Sequence, residues 1–295
     1  MRSMVNTGKS STSLYKLNAC YAFAHCLAKD GDGAVMAGEA EARRGFEELD
    51  TKKIAQTAAQ KTLERMGAVR PETGKYTIVF ENRVAEDLVS MIADYFSAKS
   101  VDDKTSPLAG KLGQKIFSSE ITLIDDPFFV EGGGTRPFDD EGYRSQKTVL
   151  VENGKVNAFL TNSVLARKLK LPHTSSAARA PSTDLDVSMS NILVTPGSHT
   201  FDSLVNADSK VILITDIMGR AGFRSTSGDF SLPVEGHLYE NGKRVVPLKD
   251  FLISGNILQL FSTIAGVAND AMLPTGNIMS PSILAQSLNV AGKQG

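Results

Sequence analysis

Thr148-Val-Leu-Val-Glu-Asn-Gly-Lys-Val156 places short apolar runs on either side of Asn153-Gly154, and the same turn returns in Tyr239-Glu-Asn-Gly-Lys-Arg244. Asn-Gly is the strongest short-range hairpin signal, because both residues accept the positive φ that a two-residue turn between twisted strands requires. Two copies imply either an internal duplication or one good turn used twice, and similarity beyond the turns is slight. Around them, Ile121–Ile124, Thr148–Val151, Val156–Leu160, Ser190–Val194 and Lys210–Thr215 have strand composition. Sheet is therefore expected to dominate beyond Ile116, and Pro281–Val290 is expected to be a closing strand.

The first third has a different period. Tyr76-Thr-Ile-Val-Phe80 predicts a buried strand, and Val84–Phe96 a helix whose apolar face is Val84, Leu88, Val89, Ile92 and Phe96. Ser90, Met91 and Tyr95 fall on what should be its exposed face. Upstream, Asp50 caps a helix striped by Ile54, Ala55, Ala58, Ala59, Thr62, Leu63 and Met66 and ended by Gly67. Ser13–Lys29 predicts a strand entering a tight Asp30-Gly31 turn. Ala98–Lys111 is expected to be an exposed loop, and Ile257–Val267 a late helix. The fold class is α+β, sheet-rich, with a largely antiparallel C-terminal part and helices in the first third and near the C-terminus.

The chain has 295 residues and is 41% hydrophobic, so it can bury a substantial core. Thirty-two basic residues against thirty-three acidic ones leave a net charge of -1, which argues for neither nucleic acid nor a membrane surface. No apolar stretch approaches the roughly 20 residues of a spanning helix. The opening residues lack the apolar core of a signal peptide, so a cytoplasmic location is the simplest expectation.

Most chemical motifs fail on spacing. Cys20 and Cys26 would share one face of a strand about 20 Å apart at ~3.3 Å per residue, with His25 on the other face, so they cannot close on one ion. Asp30–Glu41 begins like a calcium loop, but Ala34 and Val35 occupy positions that need an oxygen ligand and the turn glycine. Asp139, Asp140 and Glu141, preceded by a flexible Gly132-Gly-Gly134, could form a carboxylate cluster only if a sharp bend made them converge. Ser227, Asp229 and His237 contain the residue types of a hydrolytic triad, without a Gly-x-Ser-x-Gly elbow. His173 and His199 sit beside prolines in expected loops and are best taken as exposed polar residues. The triple glycine precedes no helix start, which argues against a phosphate cradle.

In order and spacing, several short motifs together resemble the TldD/PmbA family, also called the modulator of DNA gyrase family. They are Ala28-Lys-Asp-Gly-Asp-Gly33, Thr73-Gly-Lys-Tyr76, Asp125-Asp-Pro127, Pro137-Phe-Asp-Asp-Glu-Gly142, Ser227-Gly-Asp-Phe-Ser231, Glu240-Asn-Gly242, Ser254-Gly-Asn256 and Pro281-Ser282. The resemblance implies an α+β fold and a peptidase function divided between two kinds of subunit. One kind, TldD-like, carries zinc through a His-Glu-x-x-x-His helix and a later cysteine. The other, PmbA/TldE-like, lacks them. Those positions fall here on Ser90, Met91, Tyr95 and Leu232, so this chain resembles the zinc-less branch, with its N-terminal region shortened.

By that resemblance, residues 1–75 are a remnant of the N-terminal α/β region and residues 76–295 the β-rich C-terminal domain. The implied role is a non-catalytic subunit that assists a zinc-bearing TldD-like partner in peptide hydrolysis. No zinc or other cofactor is expected in this chain, and a homodimer is an alternative assembly. Phe138, Asp139, Asp140, Glu141 and Gly142, with Ser227, Gly228, Asp229 and Phe230, are candidates for shaping a cleft that holds an extended peptide. A stand-alone peptide-binding or scaffold protein is the alternative role.

Overall fold

The computed structural model describes residues 2–6, 11–31, 33–180 and 182–293. In chain order, β1 (Arg2–Asn6) pairs with β2 (Ser11–Tyr15), and β3 (Cys20–Asp30) with β4 (Gly33–Arg43). Next come α1 (Thr51–Glu64), β5 (Gly74–Phe80), α2 (Asn82–Ala93) and α3 (Ala98–Asp102). The middle carries β6 (Leu123–Asp125), β7 (Thr148–Glu152), β8 (Lys155–Val156), α4 (Ser163–Leu169), β9 (Ala177–Ala178), β10 (Asp186–Val187) and β11 (Ile192–Val194). The last part holds α5 (Phe201–Val205), β12 (Lys210–Ile217), β13 (Asp229–Glu240), β14 (Lys243–Asn256), α6 (Ile257–Ser262), β15 (Ile264–Val267), β16 (Ile278–Met279) and β17 (Ile283–Ala291).

The main sheet is six-stranded, in the order β14-β13-β12-β5-β17-β15, and β14 also pairs with β17. That extra pairing closes β14, β13, β12, β5 and β17 into a ring. Within it only β5 and β12 run parallel. Side chains alternate across the ring wall. Ile78, Phe80, Ile212 and Ile214 join the large core shared with α2, whereas Val79, Val211 and Leu213 join a smaller one under α5. The second sheet, β16-β11-β6-β7-β8, is antiparallel except for β11 with β16. Phe96 stacks on Phe117 with ring centroids 6.0 Å apart, and Phe117 meets Phe261 edge-on at 6.1 Å. All three are buried, and each such side chain contributes on the order of 1.5–3 kcal/mol.

The α+β, sheet-rich reading holds, and so do its strongest local signals. Both Asn-Gly pairs turn with positive φ, +47 and +83° at Asn153-Gly154 and +48 and +72° at Asn241-Gly242. The two hairpins lie in different sheets. Gly31, at φ +60°, turns β3 into β4. Asp50 caps α1 by accepting from the Lys53 amide at 2.9 Å.

Several expectations are corrected. Ile257–Val267 is not one helix: α6 stops at Ser262, and Ile264–Val267 becomes a strand because it can pair with β17. Ala98–Lys111 is not an exposed loop. It begins with α3 and buries Ala98, Ser106 and Leu108. Val156–Leu160 leaves the sheet after Val156 and docks on the segment after α2, where Leu160 N donates to Phe96 O at 2.7 Å. Ser13–Lys29 divides into β2 and β3.

α1 lies on one face of the β3–β4 hairpin, where the Thr62 hydroxyl accepts from Ala37 N at 3.2 Å. Arg65, at the end of α1, fastens this unit to the ring through Asp216 at 2.9 Å and Glu235 at 2.8 Å.

Candidate functional site

The helix positions matched to a zinc motif are occupied by groups with other commitments. The Ser90 hydroxyl donates to Asp87 O at 2.7 Å and accepts from Arg220 at 2.6 Å, while Arg220 also pairs with the Asp87 carboxylate. Burial pushes the Asp87 carboxyl up and Arg220 opposes it. Met91 and Tyr95 were expected on an exposed face. Both are buried, because α2 is covered on more than its apolar stripe. The Tyr95 hydroxyl has no hydrogen-bond partner among the described residues, and its pKa is pushed up to about 12, first by burial and then by the nearby Asp229 charge. Leu232 is fully buried on β13 opposite Ile253. A thioether, a phenol, an alkyl chain and a committed hydroxyl offer no imidazole, thiolate or carboxylate, so these four positions do not fit a zinc ion.

The loop Phe138–Gly142 makes the sharp bend that the carboxylates needed. Asp139 is buried, and its Oδ1 accepts from Glu141 N at 3.1 Å and Tyr143 N at 2.9 Å, while Oδ2 accepts from Ala177 N at 3.2 Å. Asp140 Oδ2 accepts from Arg179 N at 2.8 Å. Glu141 holds the start of α4 by accepting from the Ser163 amide at 2.8 Å and from its hydroxyl. Gly142, at φ +85°, closes the turn, and Phe138 packs edge-on against Tyr15 at 5.2 Å.

His173, expected to be exposed, is half-buried. Its Nε2 lies 3.7 Å from Glu141 and its ring 4.5 Å from that of Tyr143. Asp139, Glu141 and His173 thus bring three ligand-type atoms within 4.8 Å of one another. Their carboxylates are nevertheless spent on backbone and hydroxyl donors, so the cluster acts as a clamp on the loop. The triple glycine before it is pinned as well. Arg44 bonds Gly132 O at 2.5 Å, Gly133 N donates to Gly276 O at 2.8 Å, and a Cβ on Gly134 would stand 2.1 Å from Ser190 O.

Ser227, Gly228, Asp229 and Phe230 form a locked turn into β13. Ser227 Oγ donates to Asp229 Oδ2 at 2.8 Å, and Asn256 Nδ2 donates to Asp229 Oδ1 at 3.0 Å and to Ser227 O at 2.8 Å. Those donors, Asn256 first, hold the Asp229 carboxyl below its usual range. Gly228 takes φ +81°, and Phe230 is buried beneath the turn. Asp229 pairs in register with Asn256 and Ser231 with Ser254, so two short motifs far apart in sequence meet here. His237 lies further along β13 and bonds Glu64 O at 3.2 Å, so it forms no triad with Ser227 and Asp229. Sequence reasoning missed Arg220 and Ser163. The role of Asn256 was hinted at only by its place in a motif.

The sequence model for the PmbA/TldA metallopeptidase C-terminal domain matches residues 73–292. The chain belongs to this family. It is 27% identical over 251 residues to the Metalloprotease PmbA of Escherichia coli O157:H7, covering 85% of this chain and 53% of that protein. It is 30% identical over 261 residues to a metalloprotease of Methanothermobacter thermautotrophicus, covering 86% and 57%. Among solved structures, a protein of Thermotoga maritima called a modulator of a DNA gyrase superposes with a TM-score of 0.86 at 31% identity, over 92% of this chain and 62% of that one. TldE of Thermococcus kodakarensis superposes with a TM-score of 0.84 at 25% identity, over 93% and 63%. The chain thus spans about half the length of the curated relatives it matches. Among the described residues no helix is long and apolar enough to cross a membrane.

Proposed function

We propose that this PmbA-family chain is a metal-free, PmbA/TldE-like subunit that supports peptide hydrolysis by a zinc-bearing, TldD-like partner, in the cytoplasm. The observation that carries the reading is the set of side chains at the helix and strand positions of the zinc motif. Ser90 is tied to Asp87 and Arg220, and Met91, Tyr95 and Leu232 are packed into the core. A general base and a Lewis acid are what metal-assisted hydrolysis needs, and neither role has a candidate there. The Asp139–Glu141 loop and the Ser227–Phe230 turn, each fixed by several hydrogen bonds, would contribute rigid walls to the peptide cleft. Rigid walls suit a subunit that positions a substrate cleaved elsewhere.

The test is reconstitution. The purified chain should cleave no peptide and should retain no stoichiometric zinc after dialysis. Mixed with a TldD-like subunit, it should produce or enhance cleavage, and alanine at the partner's motif glutamate should abolish it. Chelator-resistant cleavage by this chain alone, or one tightly held zinc per chain, would refute the proposal.

A further inference from the structure

A cleft of about 660 Å³ opens between the β3–β4 hairpin, the end of α1 and the carboxyl ends of β5 and β12. β5 and β12 are the parallel pair of the ring, and α2 turns away directly after β5. The gap beyond the carboxyl ends of parallel strands is a recurrent place for ligands in α/β sheets. The volume lies within the range of small-molecule sites, about 300–1,000 Å³. Of the positions discussed above, His237 and Tyr239 on β13 line it, whereas Ser90, Met91, Tyr95 and Leu232 do not.

Its charges point to the sign of the ligand. Four cationic side chains line the cleft, and each is already engaged. Lys61 pairs with Glu39 at 2.8 Å, Arg83 with Glu86 at 3.2 Å, and Arg244 with Glu64 at 2.8 Å. Arg65 holds both Asp216 and Glu235. An anion entering here would have to break one of these pairs.

Glu81 is the exception. Its backbone is fixed, with its N–H donating to Ile214 O at 3.0 Å and its carbonyl accepting from Ala85 N at 2.8 Å. Its carboxylate caps nothing on α2 and, among the described residues, takes part in no hydrogen bond or ion pair. Burial pushes this carboxyl above its ordinary range, and Lys61 only partly offsets that. Aromatic rings are also part of the wall: Tyr21 and Phe23, with centroids 5.9 Å apart on the hairpin, and Tyr239 on β13. An unpaired carboxylate in a cleft that aromatic rings also line attracts a cation by charge, and the rings add the attraction of their quadrupoles.

We propose that this cleft binds a primary ammonium on an apolar body, the amino terminus of a peptide, with Glu81 as counter-ion and Tyr21, Phe23 and Tyr239 around it. The choice of a peptide rests on the function proposed above. The binding itself belongs to this chain alone.

Titration calorimetry on the isolated chain tests the assignment without any partner or cleavage assay, so its failure and a failed reconstitution are distinguishable. The probes are Leu-Ala-Leu amide, its N-acetylated form, and N-acetyl-lysine methylamide, which moves the ammonium to a side chain. The free-amine tripeptide should bind, and acetylation or Glu81→Gln should each weaken it by about tenfold or more. Phe23→Ala, on the exposed hairpin, should weaken it by about threefold with the melting temperature unchanged. Equal affinity of the acetylated peptide, wild-type affinity in both folded variants, or no binding of the tripeptide overturns the site. Tighter binding of the lysine derivative than of the tripeptide overturns the amino terminus as its ligand.

Discussion

Glu86 and Asp125 are two carboxyls that this fold buries. Burial pushes Glu86 from 4.5 up to about 7 despite Arg83 beside it, and Asp125 from 3.8 up to about 6 despite the Ser190 amide that donates to it. A carboxyl raised in the folded state binds more protons there than in the unfolded chain. Stability is therefore greatest below the unfolded values and falls as pH rises from about 4 to about 7. Denaturant melts at pH 5 and pH 8 should show that fall, and Glu86→Gln should recover on the order of 1 kcal/mol at pH 8 but little at pH 5. Parallel curves for the two proteins would refute it.

The turn glycines differ in a way the sequence could not show. A Cβ at Gly154 would meet the backbone carbonyl of Phe117 at 2.2 Å, whereas one at Gly242 would meet the end of the Asn206 side chain at 1.9 Å. A side chain can swing aside and a backbone cannot. Gly154→Ala should therefore lower the melting temperature more than Gly242→Ala, and Gly154→Val should cost at least about 2 kcal/mol. Asn-Gly was legible as a turn because its chemistry is local, but the neighbour 37 residues upstream of Gly154 was not.

At the scale of elements, the sequence was most informative where one element carries its own start and stop. α1 has its Asp50 cap and a glycine, Gly67, just beyond its end, and both Asn-Gly hairpins fold as local chemistry demands. It misled where tertiary pairing decides. Ile264–Val267 has the composition of either structure and becomes strand because β17 offers it a partner. Gly132-Gly-Gly134 suggested freedom, yet the absence of Cβ atoms lets the loop sit against Ser190 and Asn191. The converging carboxylates of Asp139 and Glu141 were likewise hidden, since a bend is written in contacts with Ala177 and Ser163 rather than in the loop itself. Asn256 joins three elements, because it caps α6 through Leu258 N at 3.1 Å while binding Ser227 and Asp229. Asn256→Ala should cost about 2 kcal/mol. Asn256→Asp, which keeps the cap but faces the Asp229 charge, should be rescued partly below pH 4. Thermal melts of both variants at pH 7 and pH 3.5 check this.

Across the whole molecule, the β3–β4 hairpin and α1 meet the ring through few polar ties, chiefly Arg65 with Asp216 and Glu235, His237 with Glu64 O, and Arg244 with Glu64. Arg65→Ala should therefore speed amide exchange across α1, β3 and β4 while leaving β12 and β13 protected. Uniform loss of protection would mean that the two parts unfold as one. The ring also imposes an order in time. Its closing member, β17, is the last strand among the described residues, and it pairs Leu288 with Tyr76 of β5 and Val290 with Ile253 of β14. A ribosome delivers β5 long before β17, so the nascent chain carries two unsatisfied edges, β5 and β14, until β17 emerges. Such edges are where nascent chains stick to one another or recruit chaperones. Truncating the chain just ahead of Ile283 should therefore lower its soluble yield far more than truncating it after Ala291.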